Sequence, residues 1–307
     1  MLSRIAESLF WIGRYVERAD STARIADIHL QLMLEDQSIE EELACRSLLA
    51  IMGCAAPEGQ PVTQRDVLRL LAVDRDQPAS IAHSLNAARE NARRAREIIS
   101  SDVWECLNTT RMRMPRRLTS EQAHQHFGWV RDRTAMALGM IDSATSRDET
   151  WQFFTLGRTL ERADMTARMV ATRSMPTRPS WTTILWSCGA YEVFLRTYRG
   201  APKTSNAAEF LMLDRLFPRS VLYSLNLAER CLQRIDPTEQ RAGVSDAGRR
   251  RIGRLRTELE YLPVSDLVAN LTGYVDAVQE STLAISQAIQ QRYFPSQAIP
   301  VWVGDRA

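Results

Sequence analysis

Twelve residues near the start of the chain return almost unchanged 144 positions later. Residues 13–24 read GRYVERADSTAR and residues 157–168 read GRTLERADMTAR, identical at nine of twelve positions. A second block behaves the same way: residues 74–88, DRDQPASIAHSLNAA, match residues 214–228, DRLFPRSVLYSLNLA, at eight of fifteen. The blocks keep their order, with offsets of 144 and 140 residues, so chance is a poor explanation. The chain reads as a tandem duplication of a unit about half its length, an ordinary domain size. Related halves usually pack around a pseudo-two-fold axis, by the logic that makes homodimer contacts self-complementary. No Gly/Ser/Pro-rich linker separates them. The expectation is therefore one fused domain over 1–307, with repeats at about 1–145 and 146–294 and an irregular tail at 295–307.

The fold class follows from periodicity. Apolar residues recur at spacings of three and four, and alternating strand-like runs are missing. Helices are predicted near 3–35, 40–55, 62–73, 79–111, 120–145, 148–174, 181–198, 206–215, 219–235, 246–260 and 266–293. Pro57-Glu58-Gly59, Met114-Pro115 and the Pro176/Pro179 pair punctuate them. Thr119-Ser-Glu-Gln122 and Ser146-Arg-Asp-Glu149 have the form of capping boxes. Ser80 and Ser220, each after a proline, read as helix starts. The prediction is an all-α bundle of two tandem helical repeats.

Composition bounds the function. With 307 residues, 45% of them apolar and 25% charged, the chain can bury a sizeable core and is not a disordered polymer. A net charge of +2 argues against a general nucleic-acid or membrane binder. Five scattered cysteines without a CxxC pair suggest reduced, buried thiols and a cytoplasmic location. The first twenty residues carry Glu7, Glu17 and Asp20 and read as a mature amphipathic helix rather than a signal peptide. The most apolar stretch, 181–195, contains Glu192 and is too short to span a bilayer. Arginine outnumbers lysine 38 to one. Coding bias explains most of that, although guanidinium forks also suit carboxylate or phosphate.

On a helix, Gly13, Glu17, Asp20 and Arg24 fall in one stripe beside the apolar positions Leu9, Ile12, Val16, Ala19 and Ala23. Gly157, Glu161, Asp164 and Arg168 do the same, and Arg14, Arg18, Arg158 and Arg162 flank the two stripes. One reading is a set of intrahelical ladders worth about 0.2–0.5 kcal/mol each. A second is a semi-buried network in which acids of one copy meet arginines of the other, fixing register. A third has the same forks facing a cavity and holding an anionic group such as a carboxylate. A glycine kept twice inside a helix, at about 1 kcal/mol relative to alanine, suggests close helix approach.

Other chemistry finds less support. Glu17/Asp20 and Glu161/Asp164 are superficially like di-iron carboxylates, but none of His29, His83, His124 or His126 lies at the required spacing. Neighbouring arginines would also repel a dication, so neither metal nor cofactor is expected. GxSxG, Walker, GxGxxG and HExxH motifs are missing. Residues 89–97 place Arg89, Arg93 and Arg96 on one helix face with Asn86 before them, a secondary candidate for binding. Arginines at 111–117 and 249–256 extend the basic tracts; such runs are usually solvated faces.

The opening MLSRIAESLFWIGRYVERADSTAR, the segment DRDQPASIAHSLNAARENARRAREIISSDVWECLN and the return TWQFFTLGRTLERADMTAR together resemble the bacterial alpha-E domain family. The resemblance runs essentially end to end. It implies an all-helical domain encoded beside, or fused to, a circularly permuted ATP-grasp protein and a transglutaminase-like protein, sometimes with a proteasome-like hydrolase. It further implies a part in an ATP-grasp amide-ligase system that makes or modifies peptides. The family's Glu/Arg motif maps onto Glu17, Arg18, Asp20, Arg24 and their copies. The expected function is thus an accessory protein that binds the ATP-grasp partner, or a peptide or carboxylate ligand, without catalysis of its own. The alternative is an enzyme using Glu17/Glu161 and Asp20/Asp164 as acid–base groups. A weaker alternative is nucleic-acid binding through 89–117.

Overall fold

The computed structural model describes residues 1–35, 40–174, 179–237 and 241–295. Every regular element among them is helical. The first half contains α1 (Ser3–Glu35), α2 (Glu41–Ile51), α3 (Gln64–Val67) continuing into a π-helical stretch (Leu68–Val73), α4 (Ile81–Arg94), α5 (Ser101–Met112) and α6 (Ser120–Ala144). The second contains α7 (Glu149–Ala171), α8 (Trp181–Ser187), α9 (Tyr191–Tyr198), α10 (Thr204–Leu213), α11 (Val221–Ile235), α12 (Ala247–Glu260), α13 (Val264–Ala269) and α14 (Leu271–Tyr293). Pro176 and the tail from residue 296 onward lie outside the described residues.

Three long predicted helices are broken, each for a local reason. The 79–111 prediction divides at 95–100, where the Ser100 hydroxyl accepts from the Val103 backbone N–H at 3.3 Å and starts a new helix. The 181–198 prediction divides at Gly189, whose left-handed φ of +60° would be strained for a residue with a Cβ. The 266–293 prediction divides at Asn270, which leaves helical geometry at φ −133°, ψ 45°. The expected cap at Ser146 is displaced to Asp148, whose carboxylate accepts from the Thr150 N–H at 2.9 Å. Ser80 and Ser220 do cap their helices, accepting from the N–H groups of His83 at 2.9 Å and Tyr223 at 3.0 Å.

The helices pack in matched sets. α1 lies against α4 and α6, with α5 bridging those two; α7 lies against α11 and α14, with α12 bridging those. The most extensive helix–helix contact joins the sets through α1 and α7. They run parallel, since Phe10 and Gly13 meet Gly157 and Phe154 while Glu17 and Arg18 meet Arg162 and Glu161. Apolar faces of both sets contribute to one large core, with Phe10, Leu156, Leu160, Leu225 and Leu232 inside it. A smaller cluster of Ile12, Val16, Val103, Leu107, Ile141 and Phe154 fills the space among α1, α5, α6 and α7.

Candidate functional site

The repeated motif sits where α1 and α7 touch, and its glycines make the approach possible. A Cβ at Gly13 would lie 3.1 Å from the Phe154 carbonyl carbon and 2.9 Å from the Arg158 nitrogen. One at Gly157 would lie 2.9 Å from the Phe10 carbonyl carbon. Without side chains, each glycine presents its Cα hydrogen to a carbonyl of the other helix, a weak but recurring helix–helix contact.

Below this contact the charged residues cross over. Arg18 Nε donates to Glu161 Oε1 at 2.6 Å and its Nη2 to Oε2 at 3.0 Å. Reciprocally, Arg162 Nε donates to Glu17 Oε1 at 2.9 Å and its Nη2 to Oε2 at 2.6 Å. These are bidentate forks, the strongest form of this pairing. Glu17 and Glu161 are buried. Burial works to raise the Glu161 pKa, but the Arg18 and Arg14 guanidiniums outweigh it and hold the carboxyl down at about 2. Burial is likewise outweighed at Asp20 by Arg219 and Arg24, leaving it at about 2, and at Glu17 by Arg162 and Arg219. Arg24 and Arg168 grip Asp20 and Asp164 one turn back, at 2.9 and 2.7 Å.

The remaining pair departs from this matching. Arg14 donates to Glu161 Oε2 at 2.7 Å and to the Ser286 hydroxyl at 2.6 Å. Arg158 turns instead to Asp142 at 3.4 Å. At Glu17 the second guanidinium comes from Arg219, which sequence reasoning missed. Arg219 spans Glu17 Oε1 at 2.9 Å and Asp20 Oδ2 at 2.5 Å, closing that end of the crossing. The signal is a mismatch: alignment of 74–88 with 214–228 sets Ala79 opposite Arg219. Loop contacts agree with that alignment. The Thr22 hydroxyl donates to the Ala79 carbonyl at 3.4 Å and the Thr166 hydroxyl to the Arg219 carbonyl at 2.8 Å.

Where Ala79 stands, a cavity of about 260 Å³ opens beside Arg18, Glu161, Asp164, Arg168 and Met52. Its wall includes Gly53, which ends α2 at φ +66° as Gly189 ends α8. The Arg168 guanidinium lies against Gly53 and donates to the Ile51 carbonyl at 3.3 Å, while the Arg24 guanidinium lies against Gly189. Of the ten candidate residues on the repeated motif, the structure thus gathers nine into the two ends of the crossing and sends Arg158 to α6.

The secondary candidates form a separate surface lattice. Arg89 bonds Asn108 at 3.1 Å and pairs with Glu90, which also holds Arg93 at 3.0 Å. Asn86 accepts from Arg111 at 3.1 Å, and Arg89 and Arg96 both lie over the Trp104 ring. Arg116 and Arg117 join Arg65 and Arg69 around a surface cavity of about 650 Å³. Among the described residues no group of three or more His, Cys, Asp or Glu side chains could hold a metal ion. His124 pairs with Asp27 at 2.8 Å, and buried His126 stacks on Trp129. All five cysteines are free and buried. No helix among the described residues is long and apolar enough to cross a membrane.

Fold and site together define a helical domain organised on a buried arginine–carboxylate crossing. A sequence model described as a predicted alpha-helical domain with a conserved ER motif matches residues 1–294, and the chain belongs to this family, Alpha-E. A Glu-Arg dipeptide stands at each end of the crossing, Glu17-Arg18 and Glu161-Arg162. An uncharacterized protein of Mycobacterium bovis and one of Mycobacterium tuberculosis are each 23% identical over 345 residues, covering 96% of this chain. The chain spans 38% of the length of these relatives. No solved structure matches.

Proposed function

We propose that the chain is an accessory binding module of an ATP-grasp amide-ligase system, and that the end of the crossing around Glu161, Asp164 and Arg168 is where it meets a partner or peptide. One observation carries the reading: of two ends built from matched residues, Arg219 closes one and a cavity opens the other. Reciprocal contacts across α1 and α7 support treating the halves as duplicated units, one of which has kept an accessible end. The ATP-grasp and transglutaminase-like partners come from the family resemblance. The mycobacterial relatives carry long additional sequence, as a module working beside other domains would.

The chemistry favours binding over catalysis. A useful acid–base group titrates near the working pH. Glu161 and Asp20 are held at about 2, and Glu17 below its ordinary value, by paired guanidiniums. The anionic groups that these arginine forks grip are the protein's own carboxylates.

The test is co-expression of the full chain with an ATP-grasp protein of the class the family resemblance implies, taken from the same genome. The two should co-elute. Arg168→Ala, at the open end, should weaken the complex at least tenfold, whereas Arg24→Ala, at the closed end, should not. Failure to form a complex, with no change in ligase activity on mixing, overturns the proposal.

A further inference from the structure

The closed end of the crossing carries its own occupant, and that occupant describes what the open end lacks. Arg219 brings one guanidinium edge to two acceptors, Glu17 Oε1 and Asp20 Oδ2. Each acceptor also has a resident donor: Arg162 Nε at 2.9 Å on Glu17 Oε1, and Arg24 Nε at 2.9 Å on Asp20 Oδ2. At the open end the resident donors are present, Arg18 Nε at 2.6 Å on Glu161 Oε1 and Arg168 Nε at 2.7 Å on Asp164 Oδ2. The bridging donor is not. Arg14 supplies Glu161 with a second guanidinium, but on Oε2, away from the position matching Arg219. Glu161 Oε1 and Asp164 Oδ2, on residues lining the cavity, therefore each accept one guanidinium N–H where their counterparts Glu17 Oε1 and Asp20 Oδ2 accept two.

We propose that this cavity binds a guanidinium on an aliphatic stem, seated between Glu161 and Asp164 as Arg219 is seated between Glu17 and Asp20. The walls suit the stem. Met52 and Met165 line the cavity at the positions where the closed end has Cys188 and Ser21. Thioether side chains offer an adaptable apolar surface to methylenes. Charge alone does not drive the binding, because Glu161 and Asp164 with Arg14, Arg18 and Arg168 already sum to +1. The closed end, Glu17 and Asp20 with Arg24 and Arg162, reaches +1 only once its occupant Arg219 is counted, so an occupied open end is one charge more positive. Selectivity comes from planar fork geometry, which a guanidinium matches and an ammonium does not. The proposal names the ligand of the binding end proposed above and rests on that reading, but not on the ATP-grasp partner.

Calorimetric titration of the full chain with agmatine tests it. Wild type should bind one agmatine per chain, at least tenfold tighter than N-carbamoylputrescine, which keeps the ammonium but has an uncharged ureido group in place of the guanidinium. Ala79→Arg, which places the counterpart of Arg219 in the cavity, should abolish binding while circular dichroism shows an intact helical fold. Asp164→Asn, a milder change, should weaken it at least tenfold. Arg219→Ala should open the second end and raise the stoichiometry to two. Absence of agmatine binding, equal binding of the ureido isostere, or binding indifferent to both Ala79→Arg and Asp164→Asn overturns the assignment. These titrations use the chain alone, so an intact ATP-grasp complex without agmatine binding would remove the ligand and leave the module. Agmatine binding without a complex would do the reverse.

Discussion

Glu161 keeps its charge although it is buried, because three guanidinium N–H groups from Arg14 and Arg18 replace the water it has lost. Breaking such a set is far more costly than an exposed ion pair is worth, since buried partners are left uncompensated. Glu161→Gln should therefore lose about 3–5 kcal/mol at neutral pH, read from denaturant midpoints. The acid limb follows from the same group. Its pKa falls from an ordinary 4.5 to about 2 on folding, so its contribution is complete above pH 4.5 and lost as pH falls toward 2. Asp20 adds to the same window, from 3.8 to about 2. His126, pushed down to about 4 by burial, begins its loss earlier, as pH falls through 6.5. Thermal midpoints should fall in two stages on acidification. His126→Phe should shrink the first stage, which His29, also held down by burial, shares, and Glu161→Gln should shrink the second; unchanged profiles would mean that these groups do not set the acid limb.

At the scale of the helix, the same residue type has opposite consequences in two places. A Cβ at Gly13 would press on the Phe154 carbonyl, backbone that cannot swing aside, whereas one at Gly139 in α6 would meet nothing within 4 Å. Helix propensity favours alanine at both by about 1 kcal/mol. Overpacking against a rigid neighbour typically costs about 1–3 kcal/mol and more when backbone must move. Gly139→Ala should thus raise the thermal midpoint and Gly13→Ala lower it; a gain at Gly13 would show that the α1–α7 contact is looser than drawn. The glycine and the ERAD stripe, each present at two places in the chain, marked the crossing, because like residues on both helices suit the reciprocal contact that α1 and α7 make. The helix breaks at Ser100, Gly189 and Asn270 were hidden, because apolar spacing continues across them and only backbone geometry records the interruption. Arg219 was hidden for a different reason: it stands opposite Ala79, where the two matching blocks differ.

For the molecule as a whole, the crossing decides how the halves depend on each other. Glu17 of α1 finds its guanidiniums in the second half, at Arg162 and Arg219, and Glu161 of α7 finds its own in the first, at Arg14 and Arg18. Each half alone would expose the apolar seam of α1 or α7 and leave carboxylates or guanidiniums unmatched. Two independently stable domains would give two thermal transitions. Coupled halves should give a single calorimetric transition whose enthalpy equals the van't Hoff value. Residues 1–145 and 146–307, expressed apart, should each lack cooperative unfolding, and co-expression should restore it as a complex of the two pieces. The complex should depend on charges that cross the seam: Glu17→Gln in one piece should weaken it, as should Arg162→Met in the other. Because both remove the same pair, the double variant should lose less than the sum of the two. Additive losses would mean that apolar packing alone joins the halves and that the crossed arginines contribute nothing to their coupling.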